Sequence, residues 1–182
     1  METHNPSITN PCSFAGLRPF MADLPYPPIQ VREQNLSYAS LLSIDYCGFV
    51  SELSAITQYV NNENRLSAQS CPIAKTLLGI AMAEMMHLQK LGELIVLLGG
   101  NITFTAHYRN GGQKMWSPQC LTLPEHAAQM IAADIEAEKA AIRQYETHIG
   151  MIKDDCVNDV LKRIIQDETY HIMLLHSLQS QV

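Results

Sequence analysis

The sequence predicts an all-α protein: a four-helix bundle with a long crossover between its second and third helices, preceded by an extended proline-rich arm. Three observations carry this reading. Four long segments space their apolar residues at the helical period, and no segment alternates convincingly with the period of two that marks a strand. A short motif in the first helical segment returns in the third.

Residues 1–34 hold six of the nine prolines, including Pro27-Pro28 after Tyr26, so regular helix is excluded there and an extended arm is expected, wrapping a neighbour or closing a dimer. The bundle occupies residues 35–182, with helices predicted over 36–62, 71–98, 123–150 and 155–179. Asn35 can cap the first helix, Ser70 with Pro72 can open the second, Asp154 or Asp155 the fourth, and Thr122 with Glu125 forms a capping box for the third. Gly99-Gly100 and Gly150 mark ends. Short first and third connections make two antiparallel hairpins. Residues 99–122 can span about 75 Å when extended, against roughly 39 Å for a helix of this length, so the middle connection can run the length of the bundle. The alternative is a large insertion at a simple turn, because each candidate functional residue lies near its helix midpoint and would align in either topology.

A chain of 182 residues, 47% apolar, builds one domain with a sizeable core. Its net charge of -6 gives no reason to expect nucleic acid or an anionic membrane as partner. The N-terminal METHNPSITNPC lacks a basic stretch followed by an apolar run, and no uninterrupted apolar run approaches the roughly 18 residues that cross a bilayer, so a soluble, cytoplasmic protein is expected. Five scattered cysteines without a Cys-x-x-Cys pair exclude a zinc ribbon or rubredoxin-like centre, argue against a disulfide framework and read as reduced thiols.

The chemistry lies in the repeat. Glu52-Leu-Ser-Ala-Ile-Thr-Gln-Tyr59 returns 86 residues later as Glu138-Lys-Ala-Ala-Ile-Arg-Gln-Tyr145, with five of eight positions identical. Glu84-Met-Met-His87 begins 32 residues after Glu52, and Glu168-Thr-Tyr-His171 begins 30 after Glu138, so the chain is a duplicated helical hairpin. Residues three apart share a helix face, so each Glu-x-x-His aims a carboxylate and an imidazole the same way, along stripes that include Leu77, Ile80 and Leu91 or Leu161, Ile164 and Leu175. Four carboxylates converging in an apolar core would each cost several kcal/mol if uncompensated. Too few Lys or Arg residues share those faces, whereas two divalent cations would neutralise the four. A dinuclear metal centre held by Glu52, Glu84, His87, Glu138, Glu168 and His171 follows; ligand spacing alone does not choose iron over manganese.

These motifs, together with Asp134-Ile-Glu-Ala-Glu138 and Asp167-Glu168, resemble the helix signatures of bacterioferritin across about 110 of the 182 residues, and rubrerythrins and manganese catalases share the ligand logic. The resemblance implies a ferritin-like fold in which Glu84 and Glu168 bridge the two metals, Glu52 and Glu138 are terminal, each histidine binds one metal, and Asp167 orients His87. The position matching Asp167 is Ala83, which leaves His171 without its expected partner and makes the two metal positions unequal. Met85 matches the methionine that binds haem between bacterioferritin subunits; packing is favoured over haem, because methionine is common filler at helical interfaces.

Tyr59 and Tyr145, two turns beyond Glu52 and Glu138, are positioned either to donate to a ligand carboxylate and quench oxidising intermediates, or simply to pack. His107, His126, His148 and His176 have no interpretable partner spacing and read as surface or packing residues. Trp116 and Gly111-Gly112 read as part of an ordinary exposed loop on the crossover, with a lid or interface as the alternative. The expected function is a di-iron peroxidase or ferroxidase acting on H2O2 or O2, with electrons supplied by an external donor protein. Manganese-catalase-like peroxide disproportionation is one alternative; a non-catalytic metal-binding or coat-like assembly protein is the other. The chain extends only eleven residues past His171, without room for a fifth helix lining a cage axis, so a homodimer is expected in place of a storage cage.

Overall fold

The computed structural model describes residues 12–181. Five α-helices form, α1 (Leu36–Cys47), α2 (Glu52–Leu66), α3 (Cys71–Leu97), α4 (Ala127–Met151) and α5 (Asp155–Gln179), and the connection between α3 and α4 carries a two-stranded antiparallel ribbon of β1 (Thr105–His107) and β2 (Gln113–Met115). The predicted first helix is thus broken. Gly48 bonds back to the Ile44 carbonyl in extended conformation, where a side chain's Cβ would lie 2.5 Å from that oxygen, and Ser51 restarts the helix by accepting from the Ser54 N–H. As a result Glu52 occupies the first turn of α2, where the exposed amides favour a carboxylate, instead of a helix midpoint.

Asn35 and Asp154 cap α1 and α5 through their side chains as expected. The capping box at Thr122 does not form: α4 begins after His126, and the Thr122 N–H is held by the side-chain carbonyl of Gln58. Gly99, at φ +85, ends α3 in the left-handed conformation that glycine adopts freely, whereas α4 runs through Gly150 to Met151. One disulfide, Cys12–Cys71, corrects the expectation that all five cysteines are reduced. Scattered spacing is no guide here, because it joins an arm to a helix terminus across 59 residues.

Helices α2 and α3 form one hairpin and α4 and α5 the other, with α2 against α4 and α3 against α5. The first residue of α2 meets Tyr145 late in α4, and Tyr59 later in α2 meets Glu138 earlier in α4, so these two helices are antiparallel. Since α3 reverses α2, α4 runs parallel to α3, and the crossover must travel the length of the bundle. It does so alongside α1 and α2, bonding in turn to Ser43, Ser54, Gln58 and Arg65.

Two apolar clusters, one around Leu42, Leu94 and Leu161 and the other around Leu77, Ile131 and Leu175, fill opposite ends of the bundle and bracket a buried polar middle. By length and composition Leu36–Leu66 could cross a membrane, but it is interrupted at Gly48 to Ser51 and 56% of its most apolar window is buried within the protein, which makes it a core element. The predicted arm is described from residue 12 onward; residues 1–11 lie outside the described residues. Residues 12–34 contain no helix and lie against their own bundle, pinned by Arg163, Asp167 and Asp154.

Candidate metal centre

All six predicted ligands meet in the polar middle, each no more than 3% exposed. Helix α2 supplies Glu52 from its first turn, α4 supplies Glu138, and the i,i+3 spacing sends Glu84 with His87 from α3 and Glu168 with His171 from α5. Their donor atoms form two overlapping sets, Glu52, Glu84, His87 and Glu168, and Glu84, Glu138, Glu168 and His171, each set lying within 4.8 Å of itself. Glu84 stands between the halves, with one oxygen 2.9 Å from Nδ1 of His87 and the other 2.9 Å from Nδ1 of His171. Glu168 does likewise at 3.4 and 3.0 Å. Glu52 faces only His87 and Glu138 only His171, each at 3.5 Å.

Both imidazoles turn Nδ1 to the carboxylates and Nε2 outward. Nε2 of His87 lies 3.1 Å from Asp167, and Nε2 of His171 lies 2.8 Å from the backbone carbonyl of Phe20. A carbonyl can only accept, so it fixes the His171 tautomer with hydrogen on Nε2 and leaves Nδ1 free to bind a cation. This corrects the expectation that His171 lacks a partner: the residue that replaces an aspartate at Ala83 comes from the N-terminal segment, which spacing along the helices could not reveal.

That segment also reaches His87. Asp167 accepts from the Ala22 N–H and the Tyr26 hydroxyl, both at 2.7 Å, and pairs with Arg163 at 2.7 Å, while Arg163 donates to the carbonyls of Ala22 and Leu24. Burial would raise the Asp167 carboxyl, but hydrogen bonds from His87, Arg163 and Tyr26 outweigh it and hold it at about 2.

The cluster demands positive charge. Burial first, then the charges of Glu84 and Glu168, pushes Glu52 and Glu138 well above the usual carboxylate range. Burial also raises Glu84, but His87 and His171 more than reverse it. The histidines, which burial alone would lower, are driven up by the surrounding carboxylates. Oε2 of Glu52 is buried without a hydrogen-bond partner. Two cations facing four carboxylates and two Nδ1 atoms would meet every one of these demands, so the residues fit a dinuclear metal.

The tyrosines cross between the repeats. Tyr59 of α2 donates to Glu138 of α4, and Tyr145 of α4 donates to Glu52 of α2. The matched glutamines act next door: Gln58 donates to Asp134 at 2.7 Å, and Gln144 to Asp45 at 2.7 Å. Asp45 also holds Nδ1 of His148 at 2.7 Å, so His148, read from the sequence as a surface or packing residue without interpretable partner spacing, is a buried partner of a carboxylate. Asp134 stands four residues before Glu138 and Asp45 seven before Glu52; the break at Gly48 to Ser51 absorbs the difference, which hid this equivalence from the repeat. Met85 is 47% exposed on α3 and takes no part in the cluster.

Fold and site together define a ferritin-like di-metal carboxylate protein. The rubrerythrin family model matches residues 47–179, and the chain belongs to that family. Among solved structures it is similar to wild-type KatB, a manganese catalase from Anabaena, at 24% identity and TM-score 0.76 over 89% of this chain and 80% of that one. It is also similar to the bacterioferritin BfrA of Mycobacterium tuberculosis, at 21% and 0.67 over 82% and 87%, and to Rhodobacter capsulatus bacterioferritin, at 20% and 0.66 over the same shares. At these identities the likeness concerns the fold. No curated protein sequence matches the chain.

Proposed function

We propose that the chain is a dinuclear metal redox protein that reduces H2O2 or O2, with two irons as the first reading. The observation that carries it is the pair of overlapping four-residue sets sharing Glu84 and Glu168. In this reading Glu84 and Glu168, common to both sets, would serve both metals, Glu52 with His87 would hold one, and Glu138 with His171 would hold the other. The chemistry that such a pair would supply when bound is two electrons delivered together, enough to cleave one peroxide bond without release of a one-electron radical.

The chain's own residues do the rest. Asp167 and the Phe20 carbonyl hold the imidazole tautomers. Tyr59 and Tyr145 hold Glu138 and Glu52 in place, and their phenols are oxidisable groups beside the cluster that could quench a stray oxidant. The likeness to a manganese catalase supports a second reading, peroxide disproportionation by two manganese ions. An external electron-donor protein belongs to the first reading only. We place the protein in the cytoplasm as a small oligomer, most simply a homodimer, and light scattering giving a mass near twenty-four subunits would contradict that assembly.

The test is parallel anaerobic loading with Fe(II) and Mn(II). The iron form should react with stoichiometric oxidant within seconds, faster with H2O2 than with O2, by stopped-flow absorbance. Oxygen evolution from peroxide by the manganese form alone would select the catalase reading, and inertness of both forms would leave a non-catalytic metal-binding protein.

A further inference from the structure

A cavity of about 270 Å³ opens from solvent onto the carboxylate cluster between α2 and α4. Glu52, Glu84, Glu138 and Glu168 form its floor. Its walls are apolar and small, because Ala133, Ala137 and Ala141 present methyl groups along one side of α4 where larger residues would close the gap. Hydrogen-bonding groups are few and mostly engaged: Gln58 is held by Asp134 and the Thr122 N–H, and Ser54 accepts from the Trp116 indole.

Size decides what this space is for. At about 270 Å³ the cavity approaches the roughly 300 Å³ at which small-molecule sites begin, well beyond what peroxide or dioxygen alone needs. Mostly apolar walls above a floor of hydrogen-bond acceptors suit a molecule with a hydrophobic body and a hydroxyl donor at its inner end, since a strongly polar molecule would leave its groups unpaired against alanines. A one-ring diol has this size and this polarity.

We propose that the cavity binds a one-ring hydroquinone or catechol that serves as the two-electron donor to the centre. The proposal rests on the peroxide-reducing reading above and names its reductant. The balance is AH2 + H2O2 → A + 2 H2O: two donor O–H bonds and the peroxide O–O bond break, the donor's two electrons reduce the peroxide oxygens, its two protons end on them, and the quinone leaves. Access is direct, with Ala137 and Glu136 exposed at the mouth.

Trp116 is the single tryptophan and its indole donates to Ser54 on the cavity wall, so its fluorescence reports occupancy. Titrating metal-free and metal-loaded protein with methylhydroquinone should give a saturable change. Ala137→Phe, at an exposed position where the core is undisturbed, should weaken binding at least tenfold, and Ala133→Leu should do the same if the first variant folds poorly. In the metal-loaded protein one quinone should appear per peroxide consumed. A linear, unsaturable response, or equal binding by both filled variants, would overturn the proposal. So would a fluorescence change on protein dilution that both variants abolish, since the cavity would then seat a second copy of the chain. Peroxide consumed without quinone overturns the donor role while leaving the redox reading intact, whereas no peroxide consumption strikes the redox reading, with binding still judged by fluorescence.

Discussion

The carbonyl oxygen of Phe20 lies 2.8 Å from Nε2 of His171, so a segment outside the four helices sets the orientation of a candidate ligand at their centre. Phe20 is seated by Gly79: its N–H donates to the Gly79 carbonyl at 2.9 Å, and a Cβ on Gly79 would fall 2.8 Å from the Phe20 ring. Gly79→Ala must therefore displace Phe20. We expect affinity at the His171 position to fall about tenfold, with the His87 position little changed, because loss of an outer hydrogen bond to a ligand histidine typically costs 10- to 100-fold. Stepwise Mn(II) calorimetry on both proteins checks this, and equal weakening of both positions would count against it.

The disulfide Cys12–Cys71 ties the same segment to the first residue of α3. Cys71→Ser frees it from that anchor, and by loop-closure entropy for a separation of 59 residues the loss is about 4 kcal/mol of stability. Urea unfolding of the metal-free variant should show a lower midpoint, together with weakened binding at the His171 position. An unchanged midpoint would mean that the noncovalent contacts alone hold the segment.

Arg163 is the second latch, 4% exposed and bonded to two arm carbonyls and to Asp167. Arg163→Ala leaves Asp167 buried with its cation removed, a change that typically costs about 3–5 kcal/mol. Because Asp167 also holds His87, the His87 position should lose affinity here as well as the His171 position that the freed segment serves, whereas Gly79→Ala spares the His87 position. Calorimetry on the two variants side by side separates the two halves of the centre.

Stability should depend on pH through Asp134. Burial raises its carboxyl to about 6, against the opposing hydrogen bonds of Gln58 and Asn62. A folded-state value above the unfolded one means that the folded chain holds the extra proton, so the contribution is full below about pH 4 and is lost as pH rises through 6. Metal-free Asp134→Asn, which cannot ionise, should lack this loss and gain on the order of 2 kcal/mol over the wild type between pH 4.5 and 7.5. Parallel pH–Tm curves would contradict it.

Much of this was legible in the sequence, because i,i+3 spacing and a repeat of five matched positions are local and periodic signals. They placed Glu52 through His171 on converging faces and put Tyr59 and Tyr145 beside them. What was not legible is long-range or aperiodic. The Phe20 carbonyl is a backbone atom that any residue carries, 151 positions from its histidine. Asp45 and His148 meet across 103 positions, and the helix break was signalled only by Gly48 and Ser51, which the surrounding apolar periodicity overrode. The capping box at Thr122 failed because Gln58 claimed its amide from another helix.

Metal analysis after anaerobic reconstitution and removal of loose ions decides whether the six buried residues hold two metal ions. Two transition-metal ions per chain are expected at saturation, falling below one when Glu84→Ala and Glu168→Ala, the two residues common to both ligand sets, are combined. A ceiling of one ion per chain, or a stoichiometry that the double variant leaves unchanged, would contradict the account.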